Sequence, residues 1–255
     1  PPFPYPVQLM DPNFGYFAGG YSTSPSSTVL SQTQRIDFSN DTATAVLKGN
    51  LTINAASADK QSGTGSPSHG YIAGGNPSST NADRIDYLND TATATLKSSV
   101  LTTASNRIGA VGNADYGYFA GGWGPGAKST ISRLDFSNDD GGGVAKGNLS
   151  VARYGLTGVG NQSYGYMTGG LSKSTVDRID YSSDTSTAAV KGPLASARYA
   201  HAATGNASYA YIAGGYPENV TGTTIQRIDY ASDTSTSSPK GTMSESKYYL
   251  AGTGN

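Results

Sequence analysis

The chain has 255 residues, a formal net charge of −1, no cysteine and only 14% charged residues. So little charge, with no run of Lys or Arg, gives no field that would hold a phosphate backbone or an anionic membrane, so no nucleic-acid partner is expected. The missing cysteines exclude disulfides, thiolate metal sites and cysteine nucleophiles. No apolar stretch reaches the roughly 18–20 residues that cross a bilayer, so no membrane insertion is expected either.

In chain order the first segment is a Pro-rich lead-in over residues 1–12, with Pro1, Pro2, Pro4, Pro6 and Pro12. It reads as an extended stretch cut from a longer polypeptide, or a processed start, since no charged-then-apolar leader opens it. From residue 13 to residue 255 one domain is expected, because a single pattern recurs throughout. A segment such as Gly15-Tyr16-Phe17-Ala18-Gly19-Gly20 is followed by one such as Arg35-Ile36-Asp37-Phe38. The Gly-Gly pairs end at Gly20, Gly75, Gly122, Gly170 and Gly215, and the arginines are Arg35, Arg84, Arg133, Arg178 and Arg227. A unit of roughly 45–50 residues built from short alternating runs predicts a four-stranded propeller blade.

Within the last unit four runs are separated by turn signals. Residues 198–204 read as a first strand, Gly205-Asn206 as a turn, residues 209–213 as a second strand ending at Gly214-Gly215. After a variable loop, residues 225–230 give a third strand, Ser232-Asp233-Thr234 a turn, and residues 235–240 a weak fourth. No segment has a helical period.

These residues resemble the kelch family of propellers. The matching runs are Arg198-Tyr199-Ala200-His201-Ala202-Ala203, then Tyr211-Ile212-Ala213-Gly214-Gly215-Tyr216, then Ile228-Asp229-Tyr230. The resemblance implies an all-β five-bladed propeller with four antiparallel strands per blade, and it assigns fold rather than function. The family's usual outer-strand tryptophan is replaced by Thr/Ala-rich runs such as residues 42–46 and 185–190, which predicts a thin outer edge.

The ends predict how the ring closes. Residues 247–255 align with first strands, whereas the N-terminal part starts at Asn13-Phe14-Gly15-Tyr16, in a second strand. The first blade is therefore expected to take its innermost strand from the C-terminus. Five blades crowd the axis, and the aligned inner positions Gly63, Ala110, Gly158, Ala203 and Gly252 are all small.

Comparing the units with one another separates scaffold from site. Arg35, Arg84, Arg133, Arg178 and Arg227 stand two residues before Asp37, Asp86, Asp135, Asp180 and Asp229, so each pair shares a strand face. These charges are expected to ladder between blades or to hold loops. A second recurring acid, Asp41, Asp90, Asp139, Asp184 and Asp233, reads as turn chemistry. Calcium would need six to eight converging oxygens, and no dense acidic loop is present. No cofactor and no metal are expected. The two histidines, His69 and His201, are too few for a His-rich metal centre, and the copper-radical chemistry of some kelch-like oxidases needs a Cys-Tyr cross-link. Among the remaining acids only Asp59 and Glu245 could flank a glycosidic bond, so a non-enzymatic protein is expected. Seven Asn-x-Ser/Thr sequons, at Asn40, Asn50, Asn89, Asn148, Asn161, Asn206 and Asn219, mostly mark equivalent turns.

The variable parts point to function. Loops between second and third strands, residues 21–34, 76–83, 123–132, 171–177 and 216–226, share a face with the starts of the first strands and differ in length and sequence. Variable loops on a rigid scaffold are where recognition sits. The candidate ligand-binding residues there are Trp123, Tyr21, Tyr216, Asn76, Arg107, Arg153, Tyr154, Arg198, Tyr199, Lys247 and Tyr248. Aromatic rings beside amide and guanidinium groups suit a glycan or a polar protein surface. The kelch resemblance offers a scaffold role for Tyr154, Tyr199 and Tyr248, which leaves Trp123, the single tryptophan, as the leading contact. The expected function is a recognition or structural module of an extracellular assembly, such as an adhesin or a viral tail or fibre, with other subunits of that assembly as partners. A free-standing lectin and a protein–protein adaptor are the alternatives. If residues 247–255 complete the first blade, deleting them should abolish cooperative unfolding or cause oligomerisation, because a bare inner strand edge invites pairing. A monomeric truncation with an unchanged melting temperature would refute this.

Overall fold

Short runs of alternating bulky and small residues cannot bury a face alone, so each folds as a strand against its neighbours in sequence. The computed structural model describes residues 14–22, 28–40, 42–52, 61–75, 77–216 and 223–247. Blade one contains β1 (Phe14–Ala18), the two-residue strands β2 (Tyr21–Ser22) and β3 (Thr28–Val29), which form a small ribbon, then β4 (Gln32–Asp37) and β5 (Val46–Asn50). Blade two is β6 (Gln61–Gly65), β7 (His69–Gly74), β8 (Ala82–Asp86) and β9 (Thr95–Lys97). Blade three is β10 (Gly109–Gly112), β11 (Tyr116–Ala120), β12 (Ile131–Asp135) and β13 (Gly143–Ala145). Blade four is β14 (Thr157–Gly160), β15 (Tyr164–Thr168), β16 (Val176–Asp180) and β17 (Ala189–Val190). Blade five is β18 (Ala202–Gly205), β19 (Tyr209–Ala213), β20 (Thr224–Asp229) and β21 (Ser238–Thr242).

Every blade is an antiparallel meander, and the five stand as a five-bladed β-propeller. In blade one the described strands run in the order β1-β4-β5. The expected closing strand, with Tyr248, lies outside the described residues. What is described leads towards it: the N–H of Gly122 bonds the carbonyl of Arg153, that of Gly170 the carbonyl of Arg198, and that of Gly215 the carbonyl of Lys247. Lys247 thus continues, one blade on, the clasp that joins each Gly-Gly pair to the next first strand. Gly122 (φ 102) and Gly215 (φ 84) have the left-handed backbone this clasp requires.

The core lies between blades. One buried cluster joins Tyr71 and Ala73 of blade two to Phe119 and Leu134 of blade three, and others span blades three and four, four and five, and one and two. Two details differ from the expected strands. In blade five the first strand begins at Ala202 rather than residue 198, because Ala200 turns through φ 54. The fourth strand runs over Ser238–Thr242, three residues later at its start than expected. The outer strands of blades two to four have only two or three residues, a short edge that limits pairing with other chains.

Near the axis β6, β10, β14 and β18 pack side by side. A Cβ on Gly158 would stand 2.1 Å from the backbone carbonyl oxygen of Ala110, an atom that cannot swing aside. Gly158→Ala should therefore destabilise the fold by about 1–3 kcal/mol through overpacking. Gly126→Ala, where nothing lies within 4 Å, should leave stability unchanged. Urea unfolding of both variants measures the contrast, and equal losses would contradict the inner-strand register.

Candidate functional site

The recurring charges resolve into scaffold. Arg35, Arg84, Arg133 and Arg178 do ladder between blades, but their acceptor is the second acid, not the neighbouring Asp of their own strand. Arg133 Nη1 lies 2.8 Å and the Tyr118 hydroxyl 2.9 Å from Asp184 Oδ2, while Lys146 Nζ lies 3.1 Å from Oδ1. Three donors from blade three thus converge on one buried carboxylate of blade four. Asp90, Asp139 and Asp233 repeat the arrangement with Tyr16, Tyr71 and Tyr166, with Arg35, Arg84 and Arg178, and with Lys48, Lys97 and Lys191. Reading this acid as turn chemistry alone is therefore corrected: a turn carries it, but burial beside three donors makes it the bond between blades. The local turn is capped by the other series, since Asp37, Asp135 and Asp180 accept the backbone N–H two residues on at 2.8–3.0 Å.

Aromatic rings frame each junction. Tyr118 stacks on Tyr181 with centroids 4.9 Å apart, and Arg133 lies 4.3 Å over the Tyr116 ring. The lysines were missed by the sequence reading, although a signal existed: Lys48-Gly49, Lys146-Gly147 and Lys191-Gly192 recur in register, and each glycine N–H bonds the backbone carbonyl of the same Asp that its lysine meets. Burial alone would raise the carboxyls of Asp139, Asp184 and Asp233, but the Lys, Tyr and Arg donors outweigh it and hold all three below the ordinary range. The paired tyrosines are pushed up by burial and then by the adjacent carboxylate, Tyr16 to about 12.

The opposite series of candidates separates by burial. Arg153 is fully buried, with Nη1 2.7 Å from Asp177 and its other nitrogens on the carbonyls of Gly169 and Met167. Arg198 is also buried and bonds the carbonyls of Gly214 and Thr224. Both side chains are turned into the blades, where they brace loops, and neither guanidinium reaches the surface of the loop face. Asp83 and Asp177 are likewise structural: they accept the N–H of Thr52 and Ser150 in preceding loops. Asn106 is buried and gives its amide to Ser78 Oγ at 3.2 Å. Lys247 is exposed, 3.9 Å from Glu245. Of Tyr21 only the backbone is described, paired with Val29. Asn76, Tyr248 and Asp59 lie outside the described residues.

What the fold brings together on the variable-loop face is an aromatic group. Trp123, 40% exposed, pairs its backbone with Asn106 and sets its ring edge-on to Tyr154 at 5.1 Å. Arg107 lies 5.6 Å over the same Tyr154 ring. In blade five Tyr216, 44% exposed, stacks on Tyr199 at 5.5 Å. Arg107 (φ 52), Leu171 (φ 47), Ser172 (φ 53) and Ala200 (φ 54) all hold left-handed backbone here, four of the five non-glycine residues that do so among those described. Such strain costs about 1 kcal/mol or more per residue and gathers at functional surfaces. The N–H of Gly155 bonds the Arg107 carbonyl and that of Ala200 the Gly155 carbonyl, so the strained residues are tied blade to blade around the axis.

No protein-family model matches the chain, and no curated protein matches it in sequence. Among solved structures it is similar to that of YjhT, with a TM-score of 0.59 and 12% identity over 72% of this chain and 66% of that one. The chain thus spans just under two thirds of that protein's length, and the likeness is one of fold.

Removing the acceptor at a junction strands three donors. Asp184→Ala should cost about 3 kcal/mol, the lower part of the range for breaking a buried pair, since Arg133 keeps 23% exposure. Asp135→Ala, which removes only a turn cap, should cost about 1 kcal/mol. The carboxyls of Asp139, Asp184 and Asp233 titrate lower in the fold than the roughly 3.9 of an unfolded Asp. Their contribution is thus complete above that value and is lost as pH falls through the folded one. Urea midpoints of wild type and Asp184→Ala, followed from pH 6 down to pH 2, should converge as the acid limb is crossed.

Proposed function

We propose that this propeller is a kelch-like recognition module, without turnover, that binds a glycan or a polar protein surface through the loop face carrying Trp123, Tyr154, Arg107, Tyr199 and Tyr216. The observation that carries the reading is the aromatic group of blades three, four and five, with Trp123 and Tyr216 exposed, held on strained but tightly bonded backbone. Trp and Tyr rings offer flat apolar area to sugar C–H faces or to a protein partner at little entropic cost, and Arg107 adds donors beside them. Among the described residues the recurring carboxylates Asp139, Asp184 and Asp233 are occupied in the junctions, which supports recognition over hydrolysis. Sparse charge and the hydroxyl-rich composition suit a module of an extracellular or virion-associated assembly.

Trp123→Ala should weaken binding by about 1–3 kcal/mol, the share of a hot-spot aromatic, with little change in stability. Binding should depend weakly on salt. Titrating cell-surface polysaccharides and purified surface proteins against wild type, Trp123→Ala and Leu88→Ser, a 95% exposed residue on the turn face, measures this. Loss of binding in Leu88→Ser alone would place the site on the opposite face. Bond cleavage abolished by Asp59→Ala or Glu245→Ala would replace the reading with a glycosidase.

A further inference from the structure

Blade five departs from its neighbours at two buried positions, and both concern charge. Where blade four pairs Arg153 with Asp177, both without exposure, blade five has buried Arg198 and, in the place of Asp177, Gln226. Gln226 takes the N–H of Ala195 and the hydroxyl of Ser237 on its oxygen and gives its amide to Ser196, so it does not meet the guanidinium. Arg198 bonds two carbonyls and Ser196 Oγ, its Nε has no partner, and among the described residues no carboxylate pairs with it.

The second departure is His201. It fills the wedge that Ile108 fills in blade three and Leu156 in blade four, packed against Gly169 and Gly215. Thr168 Oγ1 donates to the Thr157 carbonyl at 3.1 Å and lies 2.9 Å from His201 Nε2. A hydroxyl has one proton to give. With that proton on Thr157, the imidazole must donate from Nε2, which leaves Nδ1 as the bare nitrogen. Nδ1 is buried and has no partner. Thr157 Oγ1 in turn donates to the His201 carbonyl at 2.6 Å, so one short network staples blade four to blade five. A proton taken up by His201 has only Nδ1 to go to, where it would add an unanswered N–H and a second cation near Arg198.

The other charged groups around this wedge do not relieve it. Arg153 and Asp177 lie behind Gly169, whose carbonyl accepts Arg153 Nε, and are bonded to each other. Lys247, whose carbonyl takes the Gly215 N–H, points an exposed ammonium at Glu245. Burial, and then the charge of Arg198, hold His201 down to about 3.

We propose that the seam between blades four and five is an acid-sensitive latch: protonation of His201 unpins the Thr157–His201–Thr168 network and frees the inner edge of blade five while the other seams stay closed. The stabilisation is complete above about pH 6.5, where an exposed histidine is neutral, and is lost as pH falls from there towards the folded value. This window lies above that of the junction carboxyls. Tyr199 and Tyr216 ride on this edge, so on the recognition reading above, mild acid would also loosen that half of the binding face.

Hydrogen exchange of the full chain without ligand tests the latch apart from the recognition reading. Between pH 7.5 and 5.0, protection factors in β18 and β19 should fall about 30-fold, the effect of one histidine kept neutral by the fold at a pH about 1.5 units below its free value, while those in β10 and β11 stay within a few-fold. His201→Leu, the residue type of blade four, and His201→Gln, which keeps a donor as Gln61 does at the aligned position of blade two, should each remove the pH dependence. An equal fall in blades three and five of the wild type, or an undiminished fall in either variant, would overturn the proposal.

Discussion

A buried aspartate that accepts a tyrosine, an arginine and a lysine from the preceding blade is the interaction on which the ring depends. A carboxylate alone in that position would be too costly to bury, and two cations and a hydroxyl without it would be left unanswered. Together they satisfy one another, and their geometry sets both the spacing and the rotation from one blade to the next. Eight of the 17 Lys and Arg residues, Arg35, Arg84, Arg133, Arg178, Lys48, Lys97, Lys146 and Lys191, are committed this way.

The hydrophobic core follows the same plan. Since no blade encloses its own core, Tyr71, Tyr118 and Tyr166 each serve twice, as buried ring between sheets and as hydroxyl donor to the next blade. The ring stacks with Phe136, Tyr181 and Tyr230 of the following blade at 4.9–5.0 Å. A scaffold fixed by such repeated contacts can hold backbone strain at its surface, and Arg107, Leu171, Ser172 and Ala200 are where it does so. Regular seams and irregular loops are thus two sides of one arrangement: the first supply the stability that the second spend in presenting Trp123 and Tyr216.

Departures from the repeat carry more information than the repeat itself. Blade four answers its buried arginine with Asp177, whereas blade five uses Gln226 and places His201 where neighbours have aliphatic residues. Each change is conservative in size and alters only the charge that the interior can tolerate.

Repetition in the sequence was sufficient to determine the four-stranded blade, the five-bladed ring and the small inner residues Gly63, Ala110, Gly158 and Ala203, because periodic turn residues and Gly-Gly pairs report local backbone demands. Gly158 and Gly122 were legible for that reason. It also separated the variable face from the short-turn face, since loop length is written directly in the chain. What it could not decide was partnership. Arg133 and Asp135 share a strand face in the sequence, yet Arg133 reaches Asp184, 51 residues away, while Asp135 caps its own turn. Nor could it tell that Arg153 and Arg198 point inwards while Trp123 and Tyr216 point out, because residues in equivalent loops differ only in which way the folded backbone turns them. Periodicity fixes local geometry. The pairing of charges across a seam exists only once two blades stand side by side.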